Sequence, residues 1–248
     1  MVATPGRLID LVNRKAVDLS KVKTVILDEA DEMLSMGFKK ELNKILGFLP
    51  EVQSKWLFSA TMPDGIKQIV NEHISNTAHR ITISGSNVVN AKIEHNFVHC
   101  EDADKFHILL QFLKSVKGQR GIIFCRTRNT AKKVATQLIA KNIATGTIHG
   151  DLLQKERDKV MRAFKNKKLS ILVATDIAAR GIDIVDLTFV VHFQLPDQDE
   201  YYTHRSGRTA RAGKKGVSLV LANGYDVKTI REYEKKLKIS FSKIKSFN

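Results

Sequence analysis

Short apolar runs alternate with stretches of helical periodicity along nearly the whole chain. Val22 and Val25-Ile26-Leu27 form one run, which ends in acids, and Trp56-Leu57-Phe58 forms another, which ends in Ser59-Ala60-Thr61. Between them Phe38, Leu42, Ile45 and Leu46 recur at helical spacing. Pro63-Asp64 predicts a helix start carrying Ile66, Ile69 and Val70, and Ile81 with Ile83 suggests a further strand. A second series follows, with predicted strands at 93–99, 121–125, 143–148, 170–174, 187–193 and 216–222. Its predicted helices lie at 103–116, 128–141, 154–167, 197–206 and 226–237. Near-continuous Val/Ile/Leu strands separated by helices predict an α/β fold whose parallel sheets are covered on both faces.

The two series are divided by Ser84-Gly-Ser-Asn-Val-Val-Asn90, a small, polar stretch that reads as a linker. The predicted organisation is a first domain over 1–83, a linker over 84–91, a second domain over 92–240 and a tail over 241–248. Val2-Ala3-Thr4 reads as the end of a core strand. The first block is therefore expected to be the later part of a domain, incomplete at its N-terminus.

Composition adds exclusions. The 248 residues are 43% hydrophobic and 27% charged, a globular balance. No run approaches the length of a membrane span, and no secretory pattern opens the chain. Cys100 and Cys125 are the only cysteines, too few for a disulfide framework or a four-cysteine zinc site. Free thiols and no leader lead us to expect a cytoplasmic protein. The net charge of +15 is uneven: residues 1–85 carry 11 basic and 10 acidic residues, and residues 86–248 carry 30 and 16. That excess of +14 in the second part points to a polyanion partner. One Trp and four Tyr give little material for base stacking, so contact with phosphates fits better.

Four constellations carry chemistry. Asp28-Glu29-Ala30-Asp31 follows Val-Ile-Leu at a predicted strand end, where ligands of parallel sheets bind. Carboxylates there can hold a hard cation and orient a water, although an acidic helix start needs the same residues. Ser59-Ala60-Thr61 ends the next strand, and by itself also fits a turn or helix cap. Ala174-Thr175-Asp176 through Arg180, Gly181 and Asp183 gathers a hydroxyl, an arginine and two carboxylates at a third strand end. His204-Arg205-Ser206-Gly207-Arg208-Thr209-Ala210-Arg211 sets three arginines at spacing three, predicted to lie along one side of a helix or tight turn. Clustered arginines suit bidentate phosphate binding and charge stabilisation in phosphoryl transfer.

In this order and at these spacings the motifs resemble the DEAD-box family of ATP-dependent RNA helicases, over essentially the whole chain. Thr4-Pro5-Gly6-Arg7 resembles the family's first RNA motif, and Ile122 to Thr127 the motif opening its second domain. His149-Gly150-Asp151, with Gln154 and Arg157, resembles the next.

The resemblance implies two RecA-like domains, with ATP between them and single-stranded or short duplex RNA across both. It implies Mg²⁺ at Asp28, largely through water, a water-activating Glu29, and Asp31 linking the first domain to His204. Ser59 and Thr61 would couple hydrolysis to strand separation, and Arg208 and Arg211 would reach the γ-phosphate. Gly181 and Asp183 would serve the nucleotide. Thr4, Arg7, Arg126, Gly150, Arg157, Thr175 and Arg180 would contact RNA or support its contacts. Three departures stand out. No G-x-x-x-x-G-K-[ST] phosphate loop occurs in the 248 residues, Ala210 replaces a frequent Gly, and Arg126 replaces an Asn. The residues name no protein partner.

Overall fold

A computed structural model describes residues 1–75, 77–82, 90–179, 187–211 and 213–247. Backbone contacts divide the chain into two units, Met1–Ile83 and Ser84–Asn248. The predicted linker falls almost entirely outside the described residues.

In the first unit, β1 (Thr24–Leu27) and β2 (Ser54–Leu57) pair in parallel, from Thr24 opposite Ser54 to Leu27 opposite Leu57. Around them lie α1 (Pro5–Asn13), α2 (Ala30–Ser35), α3 (Lys39–Gly47) and α4 (Asp64–Ile69), which runs on into a π-helical turn, Val70–Ile74. Leu27, Leu42, Leu46, Ile66 and Ile69 close one core. The predicted two-sided burial does not hold for these strands. Successive side chains point to opposite faces: Leu27 is buried, whereas Ile26, Trp56 and Phe58 are 61%, 54% and 52% exposed. Trp56 and Phe58 stack on one another at 6.5 Å.

Two further expectations are corrected. Val2 is fully exposed and residues 1–4 form no strand. Thr4 is the extended N-cap residue of α1, with Pro5 in the first helical position, where its missing N–H costs nothing. Ile81 is exposed and lies in no strand, and Ile83 is outside the described residues.

Among the described residues the second unit forms one parallel sheet of seven strands in the order β5-β6-β4-β7-β8-β3-β9. The strands are β3 (Ile93–His99), β4 (Gly121–Phe124), β5 (Thr145–Ile148), β6 (Ile171–Ala174), β7 (Phe189–His192), β8 (Gly216–Ala222) and β9 (Phe241–Lys243). The helices are α5 (Lys105–Ser115), α6 (Arg128–Ala140), α7 (Gln154–Lys165), α8 (Asp176–Ala179), α9 (Asp199–Ser206) and α10 (Gly224–Leu237). Alternate residues of the central strands enter opposite cores: Ile123, Val173 and Val191 pack with Leu109, Phe112 and Leu138. Ile122, Leu172 and Val190 pack with Ile148 and Phe164.

The predicted tail is not a tail. Phe241–Lys243 adds β9 beside β3, and Ile244 and Phe247 pack against the core.

Topology opens a crevice at one end of the second unit's sheet. From β4 the chain turns toward β5, and from β7 it turns the other way, toward β8. Adjacent parallel strands whose connections diverge leave a crevice beyond their carboxyl ends, the usual ligand position in such sheets.

Candidate functional site

In the first unit both acidic and hydroxyl motifs sit at strand ends and are bonded to each other. The sheet ladder ends with the Phe58 amide donating to the Leu27 carbonyl at 2.8 Å and the Ala30 amide to the Phe58 carbonyl at 3.1 Å. The turn between β1 and α2 passes through Glu29, whose φ of 52° is left-handed. A side chain with a Cβ occupies that region at a cost of roughly 1–2 kcal/mol, so the turn is strained at the predicted water-activating residue. Asp28 and Glu29 are exposed, and the Glu29 amide donates to Asp28 Oδ1 at 2.9 Å.

Asp31 is the hub. Its Oδ2 accepts from both the Thr61 amide and the Thr61 hydroxyl, each at 2.8 Å. Its own amide donates to Ser59 Oγ at 3.2 Å, and the Ser59 hydroxyl donates to the Thr61 carbonyl at 2.7 Å. Partial burial disfavours the charged carboxylate, but the Thr61 hydroxyl and amide outweigh it and hold Asp31 below the ordinary carboxylate range. Thr4 and Arg7 lie apart from this cluster in sequence, at the start of α1, where Arg7 pairs with Asp10 at 2.6 Å.

In the second unit the predicted residues gather at the carboxyl ends of β4, β5, β6 and β7. Arg126 follows β4. Its amide donates to Gln194 Oε1 at 3.1 Å and its guanidinium pairs with Asp197 at 2.6 Å, which bridges the diverging β4 and β7 loops. Thr127 caps α6 by accepting from the Thr130 amide at 3.1 Å. Gly150 follows β5 and has open space where a Cβ would stand. Beside it Asp151 pairs with Arg128 and, at 2.9 Å, with Lys132. His149 is buried there, and burial, aided by Lys132, lowers its pKa. Arg157 on α7 donates to the Ala178 carbonyl, and the Thr175 amide donates to the Ile148 carbonyl at 3.3 Å. Arg180, Gly181 and Asp183 lie outside the described residues.

The arginine motif departs from its prediction. α9 ends at Ser206, and the three arginines do not share one exposed side. Arg205 is 2% exposed. It grips Asp176 through two bonds of 2.5 and 2.7 Å, donates to the Gln194 carbonyl at 2.8 Å, and lies 5.2 Å from the Phe124 ring centroid. Arg208 and Arg211 instead leave the turn after α9, where they line a groove with Thr203, His204 and Gly207. Sequence reasoning assigned Arg205 and Asp176 no role. The only signal was that each sits inside a motif, at a helix end and after a strand end respectively.

Beneath this turn runs a buried polar chain. His95 Nδ1 and the Tyr202 hydroxyl are 2.5 Å apart, Tyr202 and Ser218 hydroxyls 3.2 Å, Ser218 and Ser206 hydroxyls 3.0 Å, and His192 Nε2 lies 3.0 Å from Ser218. Burial pushes the His192 pKa well below its ordinary value, with Arg205 acting in the same direction. It lowers that of His95 to about 4.

The chain matches two family models in sequence order: DEAD/DEAH box helicase over residues 1–69 and helicase conserved C-terminal domain over residues 104–213. It is 39% identical over 238 residues to the DEAD-box ATP-dependent RNA helicase CshA of Bacillus cereus, which covers 96% of this chain and 45% of CshA. The chain thus spans about half the length of that relative. A DEAD box protein crystal structure from Methanococcus jannaschii is 41% identical, with a TM-score of 0.60 over 98% of this chain and 66% of that one. Dbp5 of S. cerevisiae, solved with RNA and ADP BeF3, is 31% identical, with a TM-score of 0.89 over 98% of this chain and 65% of that one. With its strand-end acidic motif, its arginine turn and both matches in family order, this chain belongs to the DEAD-box helicase family.

Proposed function

We propose that the protein acts as an ATP-dependent RNA helicase, separating short RNA duplexes or remodelling RNA–protein complexes as ATP is hydrolysed. The observation that carries this reading is the Asp31–Thr61 link. It joins the acidic strand end to the hydroxyl motif through one carboxylate oxygen, so a displacement at either motif is felt at the other. Glu29 orients or deprotonates the attacking water. Arg208 and Arg211 stabilise charge on the transferred phosphoryl group. Thr4, Arg7, Arg126, Gly150, Arg157, Thr175 and Arg180 serve the RNA backbone, and Gly181 and Asp183 the nucleotide.

Mg²⁺ suits the donor set. Asp28 is an exposed carboxylate with one oxygen accepting the Glu29 amide. Among the described residues no three His, Cys, Asp or Glu side chains cluster as a cage. Magnesium commonly keeps several waters and takes one or two carboxylates plus substrate phosphates. When bound, it would neutralise charge on those phosphates. The basic excess of residues 86–248 supports phosphate-directed, sequence-tolerant RNA binding. No helix among the described residues is long and apolar enough to cross a membrane.

One observation favours a second reading, an RNA-binding module without turnover: the 248 residues contain no phosphate loop. We expect this chain by itself to hydrolyse no ATP above background while binding RNA with an affinity that falls steeply between about 50 and 200 mM salt. The helicase reading is tested by fusing a relative's phosphate-loop segment ahead of Met1 and measuring RNA-stimulated hydrolysis. Glu29→Gln should abolish turnover and keep ATP binding, and Arg208→Ala or Arg211→Ala should lower kcat by roughly 10³-fold. A fusion that binds RNA and ATP yet never hydrolyses would leave only the binding module.

A further inference from the structure

The turn that carries Arg208 and Arg211 passes through Ala210, a buried residue whose φ of 56° lies in the left-handed region. A Cβ disfavours this conformation, and single residues persist there only where their surroundings over-determine them. The surroundings are specific. The Thr209 hydroxyl donates to the Leu187 carbonyl at 2.7 Å. Gly216 lies so close beneath that a Cβ on it would stand 2.2 Å from Thr209 Oγ1. On the remaining side the Asn90 amide group donates to the Ala210 carbonyl at 2.7 Å. Asn90 is itself held, because its Oδ1 accepts from the Lys92 amide at 3.0 Å and its carbonyl accepts from the Ile93 amide at 3.0 Å. Lys92 repeats the arrangement one step further along, with Nζ donating to the Gly213 carbonyl at 2.8 Å.

We propose that Asn90 is a positioning residue: its side-chain amide clamps the Ala210 carbonyl and thereby holds the left-handed turn from which Arg208 and Arg211 project. The functional half of this inference rests on the reading of those arginines as phosphate-contacting groups. The chemistry is directional. The side chain must be an acceptor toward Lys92 and a donor toward Ala210 at once, and an amide satisfies both. A carboxylate keeps the first bond and opposes the second. Glycine at 210 would need no clamp, since it enters the left-handed region without steric cost.

The test compares wild type, Asn90→Asp, Ala210→Gly and the double variant. In the 248-residue chain, amide hydrogen exchange of residues 208–211 and the backbone carbon shifts of residue 210 are followed. Turnover is followed in the phosphate-loop fusion. Asn90→Asp should accelerate exchange at Thr209 and Arg211 about tenfold, the worth of one net hydrogen bond. It should lower kcat by a similar factor with KM for RNA unchanged. Ala210→Gly in the same protein should restore kcat to within about twofold of wild type, the rescue expected only if the turn's conformation is what Asn90 supplies. Unchanged exchange in Asn90→Asp overturns the clamp. Faster exchange with unaltered kcat overturns the positioning role, as does a double variant no better than Asn90→Asp alone. A wild-type fusion that hydrolyses no ATP sinks the helicase reading instead, and the exchange data still decide the clamp.

Discussion

The two units solve one problem, holding charged groups at strand ends, by opposite means. In the first unit the site is fastened by bonds between its own motifs: Asp31 to Thr61, Ser59 to Asp31 and Thr61. Its two-stranded sheet leaves Ile26, Trp56 and Phe58 bare. In the second unit the site is anchored from below. Arg205, Tyr202, Ser206 and His192 are all fully or almost fully buried, and the central strands are covered on both faces. Local polar fastening gives geometry without much stability, whereas anchoring to a core ties the arginine turn to the folding of the whole unit.

That contrast can be broken most directly by asking whether the units unfold together. Urea denaturation and limited proteolysis of the chain should give two transitions, with fragments from residues 1–83 lost first and a protected species beginning near residue 92. A single coincident transition would contradict it. Next in size, Arg205→Ala should lower the stability of the second transition by about 3 kcal/mol or more, because Asp176 is left largely buried and unpaired. The first transition should not move.

The pH dependence sharpens the comparison further. His95 and His192 stay neutral when folded below the pH at which they protonate unfolded, so the unfolded state binds more protons. The second unit therefore loses stability as pH falls from 6.5, continuing to about 4 for His95. The slope is about 1.4 kcal/mol per pH unit for each histidine. Asp31 acts in a lower window. Its folded pKa lies below the unfolded one, so its contribution is present above the ordinary value of 3.8 and is lost as pH falls through the folded value. Asp31→Asn should remove that acid step from the first transition alone. The smallest effect is expected at Trp56→Lys, where an exposed side chain leaves water by little. Stability should change by no more than about 0.5 kcal/mol, while light scattering at high protein concentration should fall. A loss of several kcal/mol would mean that this face is covered.

Much of this was legible along the chain, for physical reasons. β4, β6, β7 and β8 are almost continuous apolar runs buried on both faces, so composition alone marks them. The acidic and hydroxyl motifs follow such runs, so their strand-end positions come with the strands. Phe241–Lys243 was missed because Phe-Ser-Lys carries no strand pattern of its own. It is extended because the edge of β3 offers backbone partners. Arg205 was grouped with Arg208 and Arg211 because spacing reports which residues share a helix face only while the helix lasts, and α9 stops at Ser206. Ile26 was read as core because a one-sided, two-stranded sheet and a two-sided sheet have the same apolar run. The left-handed turns at Glu29 and Ala210 leave no trace in residue type.

β9 has a practical consequence for anyone dissecting this molecule. A boundary drawn at residue 240, where the sequence invites it, would strip eight residues, β9 among them, and leave the outer side of β3 at residues 95–97 with unpaired amides and carbonyls. The missing segment would also take Phe247 away from Phe112, whose rings meet edge-on at 5.3 Å. Such a fragment would keep every motif residue of the second unit and still be prone to self-association through the bared strand.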